Sequence, residues 1–159
     1  MFAIGDKIVY PMHGAGVIEE IEEKKILGEN RKYYILRVPC GDMKIMVPVD
    51  NVAEVGVRDI MTAEKLSQVI TFLGEQSTDM SNNWNRRFRE NQEKLKTGDS
   101  FEVAEVIRNL MRTDMEKKLS TGEKKMLSTA KQILASELIL VRDVDEEEAI
   151  DMIQRAVTG

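Results

Sequence analysis

The first third of the chain carries its apolar residues in short runs separated by polar and turn-forming residues. β-Branched, aromatic and other apolar residues cluster at residues 8–10, 17–26, 33–38, 43–47 and 52–55, which predicts five strands. Glycine, proline, asparagine and aspartate between them predict turns, among them residues 14–16, 28–30 and 39–42. Five short strands joined by tight turns predict a small antiparallel barrel of the SH3 or Tudor kind over residues 1–56.

The spacing of apolar residues changes to three or four after Gly56, which is typical of amphipathic helices. The predicted helices begin near Thr62, Asn83, Asp99, Ser120 and Asp145, where capping residues precede apolar runs. Strands first and helices second indicate an α+β protein with two segregated parts. We therefore predict a helical domain of about five helices over residues 57–159.

The charge distribution restricts any contact with nucleic acid to a local surface. The chain carries 23 basic and 28 acidic side chains, a net charge of −5. Residues 82–98 differ from this average, because five basic side chains there face only two acidic ones. One cysteine, no apolar run of membrane-spanning length and no secretory start indicate a cytoplasmic protein that does not enter membranes.

Candidate catalytic chemistry is sparse. His13 is the only histidine and Cys40 the only thiol, so neither a zinc site nor a histidine metal triad can be assembled. A cysteine–histidine nucleophilic pair lacks an orienting acid, and the glycines at 14 and 16 lead into a strand, where a phosphate loop would lead into a helix. The sequence predicts no enzyme, no metal and no cofactor.

The lone tryptophan, Trp84, allows two interpretations. On a helix it shares a face with Phe88 and Leu95, which favours a core position. It also lies in the first turn beside Arg86, Arg87 and Arg89, a combination suited to a groove of DNA. The lysines at 124 and 125 are likewise either a solvated helix face or an extension of that basic surface.

The predicted strand at 43–47 carries apolar residues on both faces. Burial on both sides is the favoured interpretation, and the alternative is a sheet edge that offers Met46 to a partner strand. In the second case Lys24, Lys25 and Arg37 would form a basic rim.

Several motifs together resemble the CarD/CdnL family of bacterial RNA polymerase-binding transcription regulators. They are GDKIVYPMHGAG at 5–16, VP at 47–48, NWNRRF at 83–88, LSTGEKKML at 119–127 and AKQIL at 130–134. The resemblance covers almost the whole chain. Transcription-repair coupling factors carry a similar N-terminal module, but the helical half seen here replaces their helicase motifs.

The resemblance implies a function for each half. The Tudor-like domain is expected to bind the RNA polymerase β subunit through a strand edge, with contacts from Lys24, Arg37, Lys44, Ile45, Met46 and Val47. The helical domain is expected to bind promoter DNA at the upstream edge of the melted bubble, with Trp84 wedged into the minor groove. Basic contacts to the DNA backbone are expected from Arg86, Arg87, Arg89, Lys124 and Lys125.

The resemblance implies that the protein lengthens the life of the open complex and reads little base sequence. We expect it to be a monomer that associates with the nucleoid through RNA polymerase. Some family members place arginines where this chain has Lys24 and Met46, so the energetics of the polymerase surface differ here. The competing hypothesis is a Tudor-like protein–protein adaptor whose helices are purely structural. Burial of Trp84 would favour the adaptor, and an exposed ring among arginines would favour DNA binding.

Overall fold

The N-terminal part of the protein is one antiparallel sheet. The computed structural model describes residues 2–159. Its strands are β1 (Lys7–Tyr10), β2 (Gly14–Ile26), β3 (Glu29–Val38), β4 (Met43–Pro48) and β5 (Arg58–Asp59). The strand order is β4-β3-β2-β1-β5, and every pairing is antiparallel. β4 therefore lies at one edge of the sheet, and within residues 2–159 it pairs with β3 alone.

Five helices follow the sheet. They are α1 (Ala63–Leu73), α2 (Trp84–Lys96), α3 (Ser100–Glu116), α4 (Thr121–Arg142) and α5 (Glu146–Thr158). Thr62, Asn83, Asp99, Ser120 and Asp145 precede them, and each side chain accepts a hydrogen bond from a backbone N–H of the first turn. The predicted α+β class, a small Tudor-like sheet ahead of about five helices, is confirmed.

The fifth strand lies further along the chain than the sequence predicts. The prediction of a strand at 52–55 is wrong, because those residues form turns in which the N–H of Val55 bonds to the carbonyl of Asn51 at 3.1 Å. Gly56, at a φ of 80°, then redirects the chain, and Arg58 and Asp59 pair with β1. A two-residue strand has no alternation of its own, so only its partner defines it.

The predicted turn at 14–16 is also wrong, since these residues begin β2. The chain reverses earlier, where Met12 has a φ of 71° and the N–H of His13 bonds to the carbonyl of Tyr10. Gly14 is required by packing: a Cβ there would lie 2.6 Å from Oγ of Ser136 on α4. The β1–β2 turn thus approaches α4 closely, and the backbone N–H of Ala15 donates to the same Oγ at 2.8 Å.

A partly buried ion pair joins the two parts of the molecule. The guanidinium of Arg58 on β5 donates to both carboxylate oxygens of Glu137 on α4, each at 2.9 Å. The backbone N–H of Met61 also donates to Glu137, and Nε of Arg58 donates to the carbonyl of Gly98. The sheet and the helices therefore meet through polar contacts as well as through one continuous apolar core.

Candidate nucleic-acid and protein interfaces

The first turns of α2 and α4 meet at Trp84. Asn83 caps α2 by accepting a hydrogen bond from the backbone N–H of Arg86, and Ser120 caps α4 by accepting one from that of Glu123. The indole Nε1 of Trp84 donates to Oγ of Ser120 at 3.0 Å, which ties the two caps together. Two helix N-termini, each with partial positive charge, are thus placed side by side.

The ring of Trp84 is held in one orientation but remains 40% exposed. One face stacks on Phe88, with ring centroids 5.0 Å apart and planes 16° from parallel. Gly122 supports it from α4, where an added Cβ would lie 3.6 Å from Cζ2 of the indole. The tryptophan is therefore neither a core residue nor a loose surface side chain.

Arg87 points away from solvent into an ion pair. Its Nε and Nη2 donate to the two carboxylate oxygens of Glu123 at 2.8 and 2.9 Å, and the Glu123 side chain is only 2% exposed. The hydrogen bonds from Arg87 lower the pKa of Glu123 below its ordinary value, although burial opposes the shift. Arg87 therefore ties α2 to α4 close to the two helix caps, and its predicted role on the DNA backbone stays a prediction.

The other predicted DNA contacts lie on the surface. Arg86, Arg89, Lys124 and Lys125 are all exposed. Arg86 forms an ion pair with Glu90 one turn away, at 2.8 Å. Among residues 2–159, no carboxylate lies within ion-pair distance of the other three. These side chains give the surface around Trp84 a local positive charge that the net charge of the chain conceals.

β4 offers an unpaired strand edge with mixed chemistry. Met46 is 40% exposed, whereas Val47 is fully buried and points into the core. Ile45 is half-buried, and Nζ of Lys24 approaches the sulfur of Met46 at 3.7 Å. Of the two interpretations of this strand, the exposed edge describes it better, although the Val47 side chain cannot contact a partner.

Acidic neighbours neutralise part of the basic rim beside β4. Arg37 binds Glu19 at 2.8 Å and Asp42 at 2.9 Å, and Lys44 binds Glu19 at 3.3 Å. The hydrogen bond from Arg37, followed by that from Lys44, lowers the pKa of Glu19. Neither acid is among the contacts predicted from the sequence, because the proximity of both to the rim depends on how β2, β3 and β4 pair.

Family models match both halves of the chain. A model described as "CarD-like/TRCF RID domain" matches residues 2–61, and one described as "CarD, C-terminal domain" matches residues 68–154. A protein of Bacillus subtilis (strain 168) named "Putative transcription factor YdeB" is 40% identical over 148 residues, which are 93% of this chain and 97% of the relative. This chain belongs to the CarD/CdnL family.

The CarD models include every residue of both candidate surfaces. The N-terminal match covers all five strands, including the β4 edge, and the C-terminal match covers α2, α3 and α4 with Trp84. The family assignment made from motifs is therefore confirmed.

The two residues considered for catalysis are poorly placed for it in this CarD-family chain. Cys40 is buried, and burial raises the pKa of its thiol to about 11, so it is protonated at neutral pH. His13 lies on the β1–β2 turn and stacks on Tyr10 with centroids 4.5 Å apart. Within residues 2–159, no three His, Cys, Asp or Glu side chains are grouped to hold a metal, and no helix could span a membrane.

Proposed function

We propose that this protein binds the β subunit of RNA polymerase through the β4 edge and lengthens the life of the promoter open complex. In this mechanism Trp84 enters the minor groove at the upstream edge of the bubble. The observation that carries the proposal is the supported but exposed indole at the joined N-termini of α2 and α4. The family and its RID-type domain, a polymerase-interacting module, supply the expected partner.

The geometry of Trp84 suits a wedge. Minor-groove proteins insert flat apolar side chains between base steps and partly unstack them. Because Phe88 and Ser120 already fix the ring, little side-chain entropy is lost when it is inserted. A tryptophan that was free to rotate would lose more entropy and stabilise the melted DNA less.

The charges near Trp84 suit a DNA backbone. Arg89, Lys124 and Lys125 can neutralise phosphates, and the backbone N–H groups of two helix starts can add hydrogen bonds. Phosphate contacts and minor-groove insertion carry little base information, so we expect an effect across many promoters. Arg87 contributes indirectly, because its ion pair with Glu123 joins α2 to α4.

Attachment to polymerase compensates for the acidic net charge. A strand edge such as β4 can extend the sheet of a partner through main-chain hydrogen bonds, with Met46 as an adaptable side-chain contact. Once attached, the DNA-facing helices act at a high effective concentration. Free DNA, in contrast, is expected to bind weakly.

The direction of the effect follows from differential affinity. A wedge that fits only melted DNA lowers the free energy of the open complex relative to the closed one. Each 1.4 kcal/mol of preference, roughly, changes the ratio of the two by about tenfold. We expect Trp84 to contribute about that amount, comparable to a base–aromatic contact.

The decisive experiment measures open-complex lifetime on one promoter with polymerase and wild-type protein, Trp84→Ala or Trp84→Phe. The alanine variant should lose most of the stabilisation, about tenfold in lifetime, while the phenylalanine variant should retain part of it because a flat ring remains. Binding to polymerase should be equal for all three, since β4 is untouched. Equal lifetimes from folded, polymerase-bound variants would refute the wedge and favour the adaptor.

A further inference from the structure

A cleft between α2 and α4 begins where Trp84 is supported. Phe88, which stacks on the indole, and Gly122, where an added Cβ would meet it, also line this cleft, and it continues along the two helices past Leu95 and Met126. Met12 contributes from the β1–β2 turn of the sheet. We call this feature the α2–α4 cleft. It is contiguous with the predicted DNA-facing surface, yet none of the roles assigned above uses it.

The size of the α2–α4 cleft selects a small ligand. Its volume is about 160 Å³. Sites for drug-sized molecules typically exceed roughly 300 Å³, whereas an apolar cavity of about 150 Å³ holds one benzene ring. The cleft therefore accommodates a single six-membered ring.

The lining of the cleft is mostly apolar, which suits the faces of a flat ring. Phe88 offers an aromatic surface, and the sulfur atoms of Met12 and Met126 are polarisable and favour contact with π systems. Three polar side chains, Gln92, Lys125 and Thr129, complete the lining. A glutamine amide can both donate and accept a hydrogen bond, which matches the edge of a nucleobase.

We propose that the α2–α4 cleft receives one unpaired pyrimidine base of the melted promoter strand. The inference rests on the proposed function, since it requires the bubble edge to lie at Trp84. A paired base cannot leave its stack without breaking the pair, so the cleft is filled only after melting. Lys125 lines the cleft and is exposed, so its positive charge is available to a phosphate attached to the base. The cleft thus adds a second contact that exists only in the open complex.

The test replaces the base without altering the protein. Open-complex lifetime is measured with and without the protein on two promoters, which carry thymine or an abasic nucleotide at the first unpaired upstream position. The ratio of lifetimes, which we call the stimulation factor, corrects for effects of the lesion on polymerase. We expect the abasic nucleotide to lower the stimulation factor about tenfold, within the range contributed by base–aromatic stacking.

Protein variants then locate the contact. Thr129→Met would fill the cleft, and Ser128→Met adds the same side chain to an exposed neighbouring position on α4 that does not line it. Thr129→Met should lower the stimulation factor on the thymine promoter and cause no further loss on the abasic one, whereas Ser128→Met should match wild type. If Thr129→Met fails to fold, Gln92→Leu provides the second test.

An unchanged stimulation factor on the abasic promoter would overturn the proposal, as would additive effects of Thr129→Met and the lesion. The effect of Trp84→Ala distinguishes failure of the base site from failure of the wedge. If that variant still shortens the lifetime while the lesion has no effect, the wedge stands and the base site is refuted. If wild-type protein does not stimulate even the intact promoter, the proposed function fails as well.

Discussion

Removal of the Arg87 guanidinium would separate structural support from DNA contact among the basic residues of α2. In Arg87→Ala the carboxylate of Glu123, 2% exposed, would remain buried without its bidentate partner. Breaking a buried pair from one side typically costs about 3–5 kcal/mol. We expect about 3 kcal/mol here, because the Arg87 side chain is itself 20% exposed and water can replace part of the contact.

Chemical denaturation measures this loss directly. For a chain of this size, about 3 kcal/mol corresponds to a fall in Tm of roughly 6–12 °C. Arg86→Ala is the matched control: it removes the neighbouring arginine, whose pair with Glu90 is exposed on both sides, and should cost no more than about 0.5 kcal/mol. Arg87→Met combined with Glu123→Leu should recover much of the stability, since apolar replacement of both partners is often near neutral. Equal, small losses for Arg86→Ala and Arg87→Ala would refute the assignment of Arg87 as a support.

The same pair predicts a pH dependence. The folded-state pKa of Glu123 is lowered from an ordinary value of 4.5, chiefly by the hydrogen bonds from Arg87. Its contribution to stability is therefore complete above that value and is lost as the pH falls through the lower, folded pKa. Denaturation curves between neutral pH and about pH 3 should show this loss in wild type. The doubly substituted protein should lack that component.

Three further predictions concern the domain junction and the two proposed surfaces. Arg58→Ala and Glu137→Gln should each cost about 3 kcal/mol and be clearly non-additive in a double-mutant cycle, whereas additive losses would contradict a coupled junction. Lys124→Ala should reduce the slope of log affinity against log salt by about 1 for promoter binding, and an unchanged slope would remove it from the phosphate contacts. Met46→Glu should weaken binding to the β subunit at least about tenfold with stability within roughly 0.5 kcal/mol of wild type, and unweakened binding would move the interface away from β4.

Local chemistry explains why the helical part was predictable. A capping side chain accepts hydrogen bonds from backbone N–H groups only two or three residues ahead. The residues that determine each helix start therefore lie within one helical turn of it in the sequence. Thr62, Asn83 and Ser120 all behave as this rule requires. The family motifs add what periodicity lacks, because they link residues of both parts to one function.

Contacts distant in sequence account for the errors. Gly14 is required because Ser136, on a helix 122 residues later, fills the space that its side chain would need. β5 exists because β1 is present to pair with it. The inward direction of Arg87 likewise depends on Glu123, which lies 36 residues later on α4.

The junction between sheet and helices determines whether attachment at β4 can act at Trp84. A flexible connection would raise only the local concentration of the helices near DNA, and the ring would still have to find its orientation. Here the β1–β2 turn packs on α4 at Ser136. Arg58 binds Glu137, which is the next residue of the same helix. The N-cap residue of the same helix, Ser120, accepts the hydrogen bond from the indole. One helix therefore connects the junction to Trp84. If the sheet is fixed on polymerase, the direction of the indole is fixed as well. Breaking the ion pair between Arg58 and Glu137 should therefore weaken open-complex stabilisation before it weakens polymerase binding.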